Sequence, residues 1–272
     1  MKKGKKTAIG IAAAILVLGG VGYYLSQTLI KWKMMERNIL PTFLIEGNDI
    51  IEEYPYADIE VPAEFRACSI KGIDFKAPDG LDWMYPDETE GIKSGIIVDN
   101  DDISKRTLLV CVMDKEEPAV LVEHFEEIGY FDKRMLRGMK KLGYEKPGNS
   151  HDFLYLCDTF DYRKCNKFSP SEVNATYKLM ELKAIMVPTF LSYKLSDQEV
   201  DLGEDIESKR FWYDNGNMKS FVQQGTAQNG AYELVLDVYD VDDLDTPQTV
   251  IILGNDIDTV RQIAKTVTIA EE

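Results

Sequence analysis

The spacing of apolar residues divides the chain into five stretches. From residue 7 to residue 30 there is no charge, and 8–18 (AIGIAAAILVL) is densely apolar. About 20 apolar residues at 1.5 Å each cross ~30 Å of hydrocarbon, so this pattern predicts a transmembrane helix within 1–33. A lead-in over 34–65 is broken by Pro41, Pro55 and Pro62. Alternation then sets in. Residues 68–76 (CSIKGIDFK) read as one strand, closed by the turn Pro78-Asp79-Gly80. Two β-branched runs, 95–99 and 107–113, flank the polar tip Asp99-Asn100-Asp101-Asp102 and predict a hairpin.

Helical spacing follows. Leu121, Phe125 and Ile128 share a face after Pro118, and Phe131, Met135, Met139 and Leu142 repeat up to Gly143. Phe153, Leu156, Cys157 and Phe160 predict a third helix. Ser169-Pro170-Ser171-Glu172 predicts a capping box, with Pro at the first helical position. Its apolar stripe is Val173, Tyr177, Met180, Ala184 and Val187, and Pro188 stops it. The last third returns to strands: 211–213 and 218–223 around Asp214-Asn215-Gly216-Asn217, an alternating run at 232–239 after Asn229-Gly230, an acidic turn at 240–246, and 249–253. Asn255 or Asp256 caps a closing helix bearing Ile257, Val260, Ile263 and Ala264.

These elements predict an α+β fold: an antiparallel sheet of six or more strands covered by helices, α/β/α sandwich-like, preceded by one N-terminal transmembrane helix. The expected organisation is a membrane anchor or signal segment at 1–33, a stalk or lead-in at 34–65, and one extracytoplasmic domain at 66–272 with a helical insertion at about 131–187. Two small domains split near the helical middle are the alternative.

Charge places the body. The chain holds 31 basic and 47 acidic residues, but the first 33 residues have six lysines and no acid, which leaves −22 on 34–272. Such acidity argues against nucleic acid as a partner and against docking flat on an anionic lipid surface. Lys2, Lys3, Lys5 and Lys6 hold the N-terminus inside, so the expectation is a single-pass protein of the cell membrane with its body outside the cytoplasm; Lys31, Lys33 and Arg37 on the far flank pull the other way. Secretion after cleavage near Gly20-Val21-Gly22 is the alternative.

No reactive constellation stands out. His124 lies among Glu123, Glu126 and Glu127 without the second histidine of a zinc helix, and His151-Asp152 sits at a helix start. Cys68 and Cys111 lie in predicted strands that face one another on one reading, and Cys157 and Cys165 close a short loop on another; free, buried thiols are the equal alternative. Asp240-Val241-Asp242-Asp243-Leu244-Asp245 fails the calcium-loop pattern, with Leu244, Asp245 and Ile251 at three required positions. It reads as a solvated turn, as does 99–102. Asn174-Ala175-Thr176 matches a glycosylation acceptor but falls inside a helix. No catalytic, cofactor-binding or metal-binding residue is assigned, and no cofactor is expected.

The segment GIDFKAPDGLDW at 72–83 resembles the strand and Pro-x-Gly-Trp opening of PsbP/Mog1-like domains, with Trp83 displaced by Leu81 and Asp82. The late meander at 210–253 and the closing helix leading to 267–269 are similar to that family too. The resemblance spans about 66–269 and makes 131–187 an insertion. It implies a small α/β/α sandwich that binds partners rather than catalyses, and carries over no functional residue.

The expected function is therefore a noncatalytic membrane-anchored module binding a protein or envelope ligand. A hydrolase using scattered carboxylates and a structural subunit of an envelope complex are the alternatives. Trp83, Tyr85 and Trp212 are aromatic candidates for a site, though such residues more often belong to a core.

Overall fold

The computed structural model describes residues 22–37, 56, 58–85, 94–102, 104–114, 117–186, 209–214, 216–226 and 231–270. Within them the chain is α+β, with ten strands in two antiparallel sheets and six α-helices.

The stretch expected as one strand at 68–76 is a hairpin instead. β1 (Arg66–Ile70) and β2 (Ile73–Ala77) reverse at Lys71-Gly72. Both turn residues have positive φ, 51° and 78°, the two-residue turn whose twist matches its strands. The apolar positions Ile70 and Ile73 pair across the turn, so the reversal leaves little trace in the alternation. Near the C-terminus β10 (Thr268–Ile269) adds to β2 and completes a three-stranded sheet.

The larger sheet runs in the order β3-β4-β5-β9-β8-β7-β6. β3 is Asp82–Tyr85, β4 Ser94–Val98 and β5 Leu108–Asp114; β6 is Lys209–Asp214, β7 Met218–Thr226, β8 Tyr232–Asp240 and β9 Asp243–Gly254. The predicted hairpins β4–β5 and β6–β7 form; β8 and β9 make a third that reverses at 241–242, so most of the stretch expected as an acidic turn at 240–246 belongs to β9. Tip residue Asp99 accepts from the backbone N–H groups of Thr107 and Leu108, both at 3.0 Å, and from the Thr107 hydroxyl. Alternation puts Val110, Val112, Val222, Leu234, Leu236, Val250 and Ile252 on one face, where the core lies. Ile73 and Phe75 of the small sheet join that core, as do Val260 and Ile263 of helix α6 (Ile257–Lys265). As predicted, Asp256 caps α6 through the Thr259 N–H at 3.0 Å.

Five helices precede the last four strands of the large sheet: α1 (22–37), α2 (Glu117–Glu127), α3 (Lys133–Leu142), α4 (Ser150–Thr159) and α5 (Pro170–Met186). Asp132 caps α3, accepting from the N–H groups of Arg134 and Met135 at 2.8 Å, and Gly143 ends it in the left-handed conformation. α3 runs antiparallel to α5: Asp132 meets Lys178 at 3.1 Å, Gly138 faces Ser171 and Ala175, and Lys141 reaches Ser169. The start of α5 differs from a capping box. The Glu172 carboxylate accepts from the Asn166 N–H at 3.0 Å, because the Ser169 N–H already bonds to the Asn166 carbonyl at 2.8 Å. The Pro188 stop lies outside the described residues.

No helix among the described residues is long and apolar enough to cross a membrane. The densely apolar run 8–18, which carried that part of the fold expectation, lies outside them. Residues 22–37 form α1, with Thr28 and Met35 buried. Lys31 donates to the Asn174 side chain at 3.1 Å and lies 4.5 Å over the Tyr177 ring, both on α5. The glycosylation-like asparagine thus serves a helix contact.

The chain divides into two compact units. The helical unit comprises 1–48, 124–148 and 154–193; the β-rich unit comprises 49–123, 149–153 and 194–272. Charge divides with them. The helical unit has 18 basic and 10 acidic residues, a net of +8, and the β-rich unit has 13 basic and 37 acidic, a net of −24.

Candidate functional site

Within the β-rich unit, the most closely built polar cluster gathers around His151. Asn149 caps the start of α4: its side chain accepts from the Asp152 N–H at 2.8 Å and donates to the Asp152 carboxylate at 3.1 Å. This reciprocal pair satisfies a helix start from both sides. Asp245, from the acidic turn, accepts from the Ser150 N–H at 2.9 Å and secures the same turn.

So held, His151 projects onto the second face of the large sheet. Its ring meets Trp212 of β6 edge-on at 5.1 Å and Tyr239 of β8 at 5.3 Å. Trp212 lies 4.8 Å from Phe221 on β7. His151 Nδ1 is 3.1 Å from the Asp152 carboxylate. Burial pushes the imidazole below its ordinary value, more than the hydrogen bond it donates to Asp152 raises it. The Tyr239 phenol is likewise pushed up by burial.

Ser150, His151 and Asp152 are consecutive, which raises the question of a catalytic triad. Successive helical side chains point ~100° apart, so a contiguous triplet does not line up for proton relay. The Ser150 and Tyr239 oxygens are both fully buried, with the Ser150 hydroxyl set against the Tyr239 phenol. A nucleophile needs access to substrate, and this one has none. What the cluster does is clamp the first turn of α4 to the sheet through a neutral imidazole wedge.

That arrangement has a pH consequence. With the folded pKa below the unfolded value of ~6.5, His151 contributes its full stability above pH ~6.5 and loses it as pH falls through the folded pKa. His151→Gln keeps a neutral polar group and removes the titration. The expected result is a wild-type Tm that falls more steeply from pH 7 to pH 5 than that of the variant; parallel profiles would contradict the assignment.

The other candidates disperse. His124 is exposed and tilts against Phe125, and Glu126 pairs with Lys146. Among the described residues no three His, Cys, Asp or Glu side chains gather as a metal site. The four cysteines are free. Cys68 packs toward the core, whereas Cys111 pairs with Ile251 on the opposite face of the large sheet, so these two do not face one another as expected. Cys157 is buried and its thiol is pushed up to about 12 by that burial, while burial also raises Cys165. Acids of 240–246 are taken up by nearby donors: Asp240 accepts from the Asp242 N–H, Asp243 from the Asp245 N–H and the Thr246 hydroxyl, and Asp245 from the Ser150 N–H. Trp83 is 45% exposed and Trp212 half-buried; the Tyr85 side chain lies outside those described.

A shallow groove of about 560 Å³ crosses the small sheet between Ala67, Ser69, Asp74, Lys76, Thr266 and Thr268. The Lys76 N–H and the Thr266 hydroxyl are already paired there at 2.8 Å. The Cys68 thiol beside it is raised by burial, the opposite of an activated nucleophile.

His151 and Trp212 stand apart in the sequence as separate candidates, and the fold brings them together with Tyr239, which no sequence signal marks as their partner beyond an aromatic on each of two alternating strands. No protein-family model matches the chain, and no curated protein matches it in sequence.

Proposed function

We propose that this chain is a membrane-anchored, extracytoplasmic module that binds a protein or envelope ligand without catalysing a reaction. The observation that carries the reading is the disposition of its carboxylates. A carboxylate hydrolase needs two acids in one cleft, one of them shielded from water, about 5–9.5 Å apart. Asp237 is the one acidic side chain in the buried class among the described residues, and it accepts from the Thr249 hydroxyl at 2.7 Å. Glu233, whose carboxyl is raised by burial, shares that strand face four residues away, about 13 Å along an extended chain. Asp99, Asp102, Asp132, Asp243, Asp245 and Asp256 are engaged by backbone N–H groups as caps and turn fixtures. The similarity to PsbP/Mog1-like domains leans the same way, as analogy of fold.

The anchor is assigned to the uncharged segment that precedes and enters α1, and the acidic β-rich unit is the part offered to a ligand. Cross-linking in intact cells, followed by purification of the full-length chain from membranes, tests the reading. A reproducible stoichiometric companion is the expected result. Recovery of the chain alone, with hydrolysis of a model ester or glycoside abolished by Asp237→Asn, would overturn it.

A further inference from the structure

We propose that the helical unit lies against an anionic phospholipid surface through the basic face of α3 and the exposed stripe of α1. This rests on the anchored reading above and adds what the body does once tethered.

The bulk acidity of the chain points away from such a contact, but the acid belongs to the β-rich unit. Without Lys2, Lys3, Lys5 and Lys6, which the anchored reading places across the membrane, the helical unit holds 14 basic and 10 acidic residues, a net of +4. Its charge is concentrated on α3, whose ten residues include Lys133, Arg134, Arg137, Lys140 and Lys141 and no acid. All five are exposed, while Met135, Gly138, Met139 and Leu142 face inward. A helix divided into a packed apolar face and a wholly basic outer face is suited to a polyanionic surface.

Apolar exposure is concentrated in the same unit. Of the eight large apolar side chains exposed among the described residues, seven fall there and only Trp83 in the other. Tyr23, Ile30 and Met34 are 67%, 51% and 55% exposed and share one stripe of α1, opposite the buried Thr28 and Met35. Tyr24, also exposed, is the neighbour of α3: its hydroxyl lies 3.4 Å from Arg134. Tyrosines beside basic side chains match the chemistry of a headgroup layer, with a ring for the acyl boundary and cations for phosphate.

Chain length selects lipid over other polyanions. A span of about 20 residues that begins at Thr7 ends near Ser26. Lys31, docked on α5, follows five residues later, about 8 Å along a helix. On the anchored reading, the helical unit therefore has no tether that would lift it clear of the headgroups.

Full-length chain reconstituted in vesicles gives the test. Flotation is measured first, then the rate at which a small acetylating reagent modifies lysines. Lys76 and Lys105, exposed in the acidic unit, serve as internal references. In phosphatidylcholine vesicles containing about a third phosphatidylglycerol, modification of Lys133, Lys140 and Lys141 is expected to slow about fivefold relative to pure phosphatidylcholine, and to recover in about 0.5 M salt. Equal rates in the two vesicles would overturn the docking alone. So would slowing of equal size in neutral vesicles or detergent, which would indicate contact with the acidic unit of a second copy. Failure to float with either vesicle would remove the anchored reading and the docking with it.

Discussion

Replacing Gly138 by alanine is expected to destabilise the helical unit by about 3 kcal/mol, although alanine is intrinsically the better helix residue by about 1 kcal/mol. The two effects oppose one another, and geometry decides between them. A Cβ at position 138 would sit 2.1 Å from the Ser171 carbonyl oxygen and 2.6 Å from the Ala175 methyl. The first of these is backbone in the first turn of α5, so relief requires α3 and α5 to separate. Separation would loosen Met135, Met139 and Leu142 together. Amide exchange in α3 and α5 checks this directly: faster exchange in both helices is expected in the variant, and unchanged or slower exchange would show that propensity wins.

Removing Gln224 is the second large effect. Its Oε1 accepts the Tyr56 hydroxyl at 2.7 Å and two N–H groups of Arg261 at 3.3 Å. Tyr56 is 2% exposed and Gln224 4%, and the Arg261 guanidinium lies over the Tyr56 ring. Gln224→Ala therefore removes one acceptor shared by a buried hydroxyl and a guanidinium and leaves a void; about 3 kcal/mol is the expected cost. Gln224→Glu keeps an acceptor at the same place and offers Arg261 a charge, so it should retain most of the stability. Urea denaturation of the two variants separates lost hydrogen bonding from lost volume. A Gln224→Glu protein as unstable as Gln224→Ala would contradict the network's role.

How much of this was legible in the sequence depends on the range of the contacts. Hairpins written in neighbouring residues were readable, as at Asp99 and at 214–217, and so were the Asp256 cap and the Pro170 helix start. The reversal at Lys71-Gly72 was not, because apolar positions continue on either side and lysine is an unusual residue at positive φ. The capping role given to Glu172 failed for a similar reason: a preceding turn had already taken the Ser169 N–H. The His151 cluster unites α4, β6 and β8, and no local pattern announces it. The partition of charge was hidden for another reason. Each unit is assembled from three separated segments, so any average along the body mixes a basic helical part with an acidic β-rich one. The basic character of α3 stands in the sequence as KRMLRGMKKL, but only the packing of Gly138 and the methionines against α5 assigns its lysines and arginines to a common outer face.

The proposed placement of the body, anchored and outside the cytoplasm, is tested most directly by thiol labelling in intact cells. Asn217→Cys, at an exposed turn of the β-rich unit, is introduced with Cys68→Ser and Cys165→Ser so that the remaining native thiols, Cys111 and Cys157, are buried. Labelling by a membrane-impermeant maleimide before permeabilisation, on a chain that sediments with membranes, is the predicted result. Labelling that requires permeabilisation would place the body inside and contradict the claim.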